Sequence, residues 1–166
     1  MEKKYELTDE ILEVGGHVLH RIKALRDFGN VKKGDIGGWI ECEDNLSHDD
    51  DCWVYGEARV CGEASVYGKA EVYGDARVYG KAEVYGEARV CGEAVIKSKS
   101  DYIVFKNWWS SGRYFTWTRS NDMWSVGCFY GTGEELIKKA YNDSDESGRE
   151  YKRIVKYVES IKQELK

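Results

Sequence analysis

The chain of 166 residues contains no proline, so its turns must rest on other residues. It has no apolar run long enough to cross a bilayer as a helix, and no signal peptide opens it. A soluble, cytoplasmic protein with no membrane partner is expected. Histidine is scarce: His17, His20 and His48 are the full set. Five cysteines are scattered without a Cys-x-x-Cys pair, which argues against structural zinc and against a disulfide framework. Gly-x-Ser-x-Gly and Gly-x-Gly-x-x-Gly are both absent, and Gly131-Thr-Gly133 is too short for a phosphate loop. A net charge of −5 argues against duplex nucleic acid as a partner. No cofactor and no metal are expected.

What the chain has is a repeat. From Val54 to Val95 it runs Val54-Tyr-Gly-Glu-Ala-Arg, Val60-Cys-Gly-Glu-Ala-Ser, Val66-Tyr-Gly-Lys-Ala-Glu, and onward with a period of six and no slippage. Val at the first position and Ala at the fifth are the apolar residues of every unit. Both point inward if each hexad is a short strand followed by a corner. Gly at the third position lets the backbone turn. A helix is excluded, because glycine every six residues costs about 1 kcal/mol each relative to alanine.

These hexads resemble the bacterial hexapeptide-repeat family, whose members form a left-handed parallel β-helix. The resemblance implies three hexads per triangular coil, with residue i stacked under residue i+18. It implies an all-β solenoid of roughly three coils, about 15 Å long at the ~4.8 Å strand spacing. Beyond the strict repeat, Cys42, His48 and Ile96 fall in phase with the Val position, and Ile40, Leu46 and Cys52 with the Ala position. The segment Val31-Lys-Lys-Gly-Asp-Ile-Gly-Gly-Trp-Ile-Glu, with Asn45-Leu-Ser and Cys52-Trp-Val-Tyr, is similar to uncharacterised hexapeptide proteins of bacteria and prophages.

The flanks divide the chain into three. Residues 1–30 read as a β-hairpin, with Tyr5–Val14 and His17–Leu25 around the turn pair Gly15-Gly16. Residues 31–105 hold the helix, and Asp101-Tyr-Ile-Val-Phe is a last strand that can close the coil. Residues 106–166 hold an aromatic-rich hairpin, Arg113–Arg119 and Met123–Tyr130, then two helices. Thr132-Gly-Glu-Glu135 and Ser147-Gly-Arg-Glu150 read as capping boxes. Tyr151, Ile154, Val155, Val158, Ile161 and Leu165 share one helical face, a stripe suited to joining chains. The resemblance adds that relatives commonly trimerise, so a homo-oligomer is expected. A solenoid also needs its open end covered, which makes this region a cap.

Many members of the resembled family are acyltransferases with a catalytic His projecting from a coil. Here His17 and His20 lie in the hairpin and His48 falls in an inward slot, where no base can reach a substrate. No catalytic residue is therefore assigned. The outward positions stack into ladders: Tyr55 under Tyr73, Tyr67 under Tyr85, Glu57–Asp75–Glu93, and Arg59–Arg77 beside them. The C-terminal hairpin is denser still in rings. Alternation puts Arg113, Phe115, Trp117 and Arg119 on one face, with Trp124 across the turn. Indoles interleaved with guanidinium groups suit stacking on a base and pairing with phosphate. Arg113, Trp117, Arg119 and Trp124 are thus the expected site for a small nucleotide-like ligand or a host protein. The expected function is non-enzymatic binding by a phage or prophage protein, as counter-defence. A degenerate acyltransferase and a purely structural oligomer are the alternatives.

Overall fold

Every hexad turns at its glycine. Gly56, Gly62, Gly68, Gly74, Gly80, Gly86 and Gly92 all adopt φ between 56° and 69°, a region that L side chains enter at a cost. Neighbouring coils add a second constraint: a Cβ on Gly74 would lie 2.9 Å from the backbone nitrogen of Gly92. The corners are thus built from glycine stacked on glycine.

The computed structural model describes residues 2–165. It opens with a hairpin of β1 (Tyr5–Val14) and β2 (His17–Ala24), whose Gly15-Gly16 turn has φ of 54° and 85°. Strand β3 (Ile36–Ile40) enters the first coil. Two-residue strands follow: β4 (Trp53–Val54), β5 (Arg59–Val60), β6 (Ser65–Val66), β7 (Glu71–Val72), β8 (Arg77–Val78), β9 (Glu83–Val84), β10 (Arg89–Val90) and β11 (Val95–Ile96). They stack in parallel on three faces, β3-β5-β8-β11, β4-β7-β10 and β6-β9. In the strict repeat, partners are 18 residues apart, as in Val60 with Val78 and Val78 with Ile96. The inward Val and Ala side chains from Val54 to Ala94 are at most 1% exposed. The fold is the left-handed parallel β-helix expected, of about three coils.

The first coil departs from the expected phase. Ile40 pairs with Val60 and Leu46 with Val66, an offset of 20. Ile40 and Leu46 therefore fill Val-type slots, not Ala-type ones. Cys42 and His48 are displaced from the interior. Two extra residues cause the shift, and the bend at 47–51 absorbs them, with Asp50 at φ 53°. Cys52 is back in phase and fully buried.

The backbone ladder has a direction. Amides donate forward to the next coil, as Arg59 N does to Ala76 O and Arg77 N to Ala94 O, both at 2.9 Å. The first coil is left with bare carbonyls and the last with bare amides. At the N-terminal end β2 pairs antiparallel with β3 and covers one face. Elsewhere side-chain donors take over. Tyr5 Oη donates to Leu46 O at 2.6 Å, and the buried Lys4 Nζ donates to Cys52 O at 2.7 Å.

At the other end the partners are acceptors. Arg89 N donates to Thr116 Oγ1 at 2.9 Å, Val95 N to Ser120 Oγ at 2.8 Å, and Lys97 N to Asp101 Oδ2 at 2.8 Å. These groups belong to or flank a four-stranded antiparallel sheet, β12 (Tyr102–Lys106), β13 (Tyr114–Thr118), β14 (Met123–Val126) and β15 (Phe129–Gly131). Strand β12 pairs with β13, so Tyr102–Lys106 belongs to this sheet and does not extend the coil. Met123–Tyr130, read as one strand, is itself a hairpin turning at Gly127, φ 54°.

Helices α1 (Gly133–Asp143) and α2 (Asp145–Ile161) cover the outer face of the sheet. Thr132 and Glu135 make the expected capping box. The second helix starts earlier than its expected Ser147 box: Ser144 is the cap, accepting from Ser147 N at 3.0 Å. Gly148 lies inside α2, where a Cβ would sit 2.2 Å from the Tyr141 ring. Tyr151, Val155 and Val158 pack on Phe115, Trp117 and Trp124, with Ile154 and Leu165 beside them. The stripe expected to join chains is thus covered within its own chain.

Candidate functional site

The aromatic face of the C-terminal hairpin is closed to ligands. Trp117 is 0% exposed and Trp124 1% exposed, both under the two helices. Trp117 Nε1 already donates to Asp122 Oδ1 at 2.8 Å. Neither indole is available for stacking on a ligand. The opposite face of β13 is covered too, because Thr116 and Thr118 are buried against the solenoid side. The two arginines also part company. Arg119 donates to Leu165 O at 2.6 Å and lies 3.7 Å from Asp101. Arg113 stands beyond the other end of the strand, about 20 Å away at the usual rise per residue. It lines a shallow hollow of about 380 Å³ at the seam of coil and cap, with Lys69, Glu71, Glu87 and Arg89.

The coil ladders form, but several members are committed. Tyr55 and Tyr73 meet edge to face at 6.4 Å, and Tyr73 Oη bonds Ser125 Oγ of the cap at 3.1 Å. Burial pushes both phenols up to about 12. Tyr67 and Tyr85 stack at 5.1 Å. Glu57 accepts from Arg21 at 3.0 Å and from Trp39 Nε1 at 3.3 Å, while Arg21 lies over the Trp39 ring at 4.1 Å. Asp75 and Glu93 are exposed.

Arg59 and Arg77 are different. They are directly paired on β5 and β8, side by side on the face that the N-terminal hairpin overhangs. Strand β2 meets β3 only from His20 onward, so the tip of the hairpin projects past the end of β3. The tip and the coil enclose a groove of about 600 Å³. Val14 and Leu19 line it from the hairpin, and Cys61, Val78 and Tyr79 from the coil. Arg59, Arg77 and Lys81 supply positive charge, against Glu63. Arg59, Arg77 and Lys81 make no ion pair among the described residues. Like charges on directly paired residues of neighbouring strands repel, which an anion would relieve.

His17 stands at the same groove, brought there by the hairpin. Its Nδ1 lies 2.9 Å from Glu41 Oε2, and Gly62 N donates to Glu41 Oε1 at 2.8 Å. The carboxylate can only accept, so Nδ1 carries the proton in this pair. His17 Nε2 makes no hydrogen bond among the described residues. The bond from His17 holds the Glu41 carboxyl below its ordinary range. A carboxylate that orients an imidazole in this way prepares it to take a proton. The other histidines are structural. His20 Nδ1 bonds Thr8 O at 3.0 Å, and His48 stacks on Tyr5 at 4.1 Å while bonding Glu43. Cys61 is a poor nucleophile, because burial and then Glu41 push its thiol up. No cluster of three or more metal-ligating residues occurs among the described residues. Among the described residues, no helix is long and apolar enough to cross a membrane.

No protein-family model matches the chain. One curated protein does. Over 43 residues the chain is 37% identical to the uncharacterized acetyltransferase YdcK of Escherichia coli (strain K12). The match covers 26% of this chain and 13% of that protein. The chain thus spans a small part of the relative's length. A short acetyltransferase-like match and a β-solenoid are compatible with one another.

Proposed function

We propose that the protein binds a small anionic ligand in the groove between the N-terminal hairpin and the solenoid. The observation that carries this reading is the Arg59–Arg77 pair, in no ion pair among the described residues and lining a concave, largely apolar hollow. Small ligands need such concavity to lose most of their surface to protein. Arginine suits phosphate or carboxylate through its planar fork of donors, and Tyr79 and Leu19 offer contact to an aromatic or aliphatic part. A nucleotide-type molecule has both features. The likeness of Val31–Tyr55 to prophage-borne proteins motivates the finer reading, sequestration of a host nucleotide-type signal as counter-defence.

The His17–Glu41 pair favours a second reading, acyl transfer with His17 as the base that deprotonates the acceptor. The short likeness to an acetyltransferase and the solenoid itself support it. One experiment separates the two. ADP and acetyl-CoA are titrated calorimetrically into the protein and into Arg59→Ala/Arg77→Ala, and thiol release from acetyl-CoA is followed with amine and hydroxyl acceptors. Binding that falls at least tenfold in the double variant, without thiol release, supports sequestration. Thiol release that disappears in His17→Gln, with binding retained, establishes acyl transfer. Absence of binding and of turnover with either probe sinks both readings.

A further inference from the structure

We propose that Lys4 and Cys52 are a modification site, forming an oxygen-dependent covalent N–O–S cross-link between the start of β1 and the first coil. The two side chains meet in the interior: each is 0% exposed, and Nζ lies 3.4 Å from Sγ. That separation is already van der Waals contact, so one oxygen atom spans it with a small approach.

The surroundings hold both partners in place. Lys4 Nζ donates to Cys52 O at 2.7 Å, Asp50 O at 3.3 Å and Asp49 O at 3.4 Å, and lies 4.7 Å from the centre of the Phe28 ring. The thiol leans on Ser47 O at 3.5 Å and Val66 O at 3.7 Å. No carboxylate makes an ion pair with Lys4 among the described residues. Burial lowers the lysine pKa, which raises the share of neutral amine, and burial raises that of the thiol. An amine and a thiol enclosed together, each 0% exposed, are the pair this chemistry needs. Backbone bonds already fix the amine, so its reaction with sulfur is close to intramolecular.

The step balances with dioxygen as oxidant. The amine and the thiol each lose one hydrogen. One oxygen atom forms the N–O and O–S bonds, and the other leaves as water with both hydrogens. Nitrogen and sulfur each give up two electrons, and dioxygen takes four. The proton of the ammonium form goes to solvent before the step.

The test is intact mass and peptide mapping of the full chain after air exposure, with and without dithiothreitol. The expected product is heavier by about 14 Da, one oxygen gained and two hydrogens lost. It maps to a peptide joining Lys4 and Cys52, resists trypsin at Lys4, and reverts on reduction. The control is Cys52→Ala, which should fold because Ala58 and Ala70 fill the same position of later hexads. The product is expected to vanish in that variant. No mass change, a gain of about 16 or 32 Da confined to Cys52, or a 14 Da product that persists in Cys52→Ala would each overturn the proposal.

Discussion

The two ends of the solenoid solve opposite problems. Carbonyls open the N-terminal end, and Lys4, Tyr5 and β2 supply donors. Amides open the C-terminal end, and Thr116, Ser120 and Asp101 supply oxygen acceptors. The C-terminal sheet lies between coil and helices and buries Phe115, Trp117 and Trp124 on the way. The N-terminal hairpin is anchored only along part of β2, so its tip overhangs the coil and leaves a groove. Closing the solenoid with a packed sheet makes a core, whereas closing it with an overhang leaves a groove.

The largest expected effect strikes what both ends share. Val66→Asp places a charge in the narrow interior and should cost at least ~3 kcal/mol, enough to unfold or aggregate the chain. Glu63→Gln, on the outside, should leave the melting transition where it is. A Val66→Asp protein that melts normally would break the inward assignment on which both ends depend.

Next come the ends themselves. Lys4→Met strips a donor from buried carbonyls and should cost about 3 kcal/mol. Thr116→Val strips the acceptor of Arg89 N and should cost about 1–2 kcal/mol. Urea titration of each variant measures the two costs. Equal or reversed costs would mean that the end closed by the Lys4 amine is no more demanding than the end closed by the Thr116 hydroxyl.

A smaller effect depends on pH. Donation from His17 lowers the Glu41 pKa, and bonds from Lys3 and then His48 lower that of Glu43. In the pH range between the lowered values and the ordinary ~4.3, the unfolded chain binds more protons than the folded one. These groups therefore stabilise the fold above about pH 4 and lose that contribution as pH falls further. Both belong to the N-terminal end. Melting followed from pH 7 to pH 3 should show the loss, and His17→Gln should reduce it. An unchanged acid limb in that variant would remove His17 from the account.

Much of this was legible because a strict repeat offers one residue per slot. Val66 and Ala70 have no other place to go, and Gly15-Gly16 dictates its turn. The first coil was misread because the two extra residues hide in a polar stretch, Ser47 to Asp51, where periodicity has nothing to count. Trp117 and Trp124 were legible as a cluster, but not whether as a binding face or as the core of a cap. Alternation sorts a strand into two faces, and only the helices decide which is covered. His17 was passed over because its place beside Glu41 depends on how far the hairpin reaches, a tertiary fact with no local signal. Arg59 and Arg77 were visible as a stack, but their groove was not.

The central claim is that the ligand site lies at the overhanging end and not at the end closed by the packed sheet. Calorimetric binding of ADP to Arg59→Ala/Arg77→Ala and to Arg113→Ala/Arg119→Ala, side by side with the parent chain, tests it most directly. The account predicts at least a tenfold loss of affinity in the first variant and near-parental affinity in the second, with both variants folded. The reverse order would contradict it and return the site to the aromatic cap.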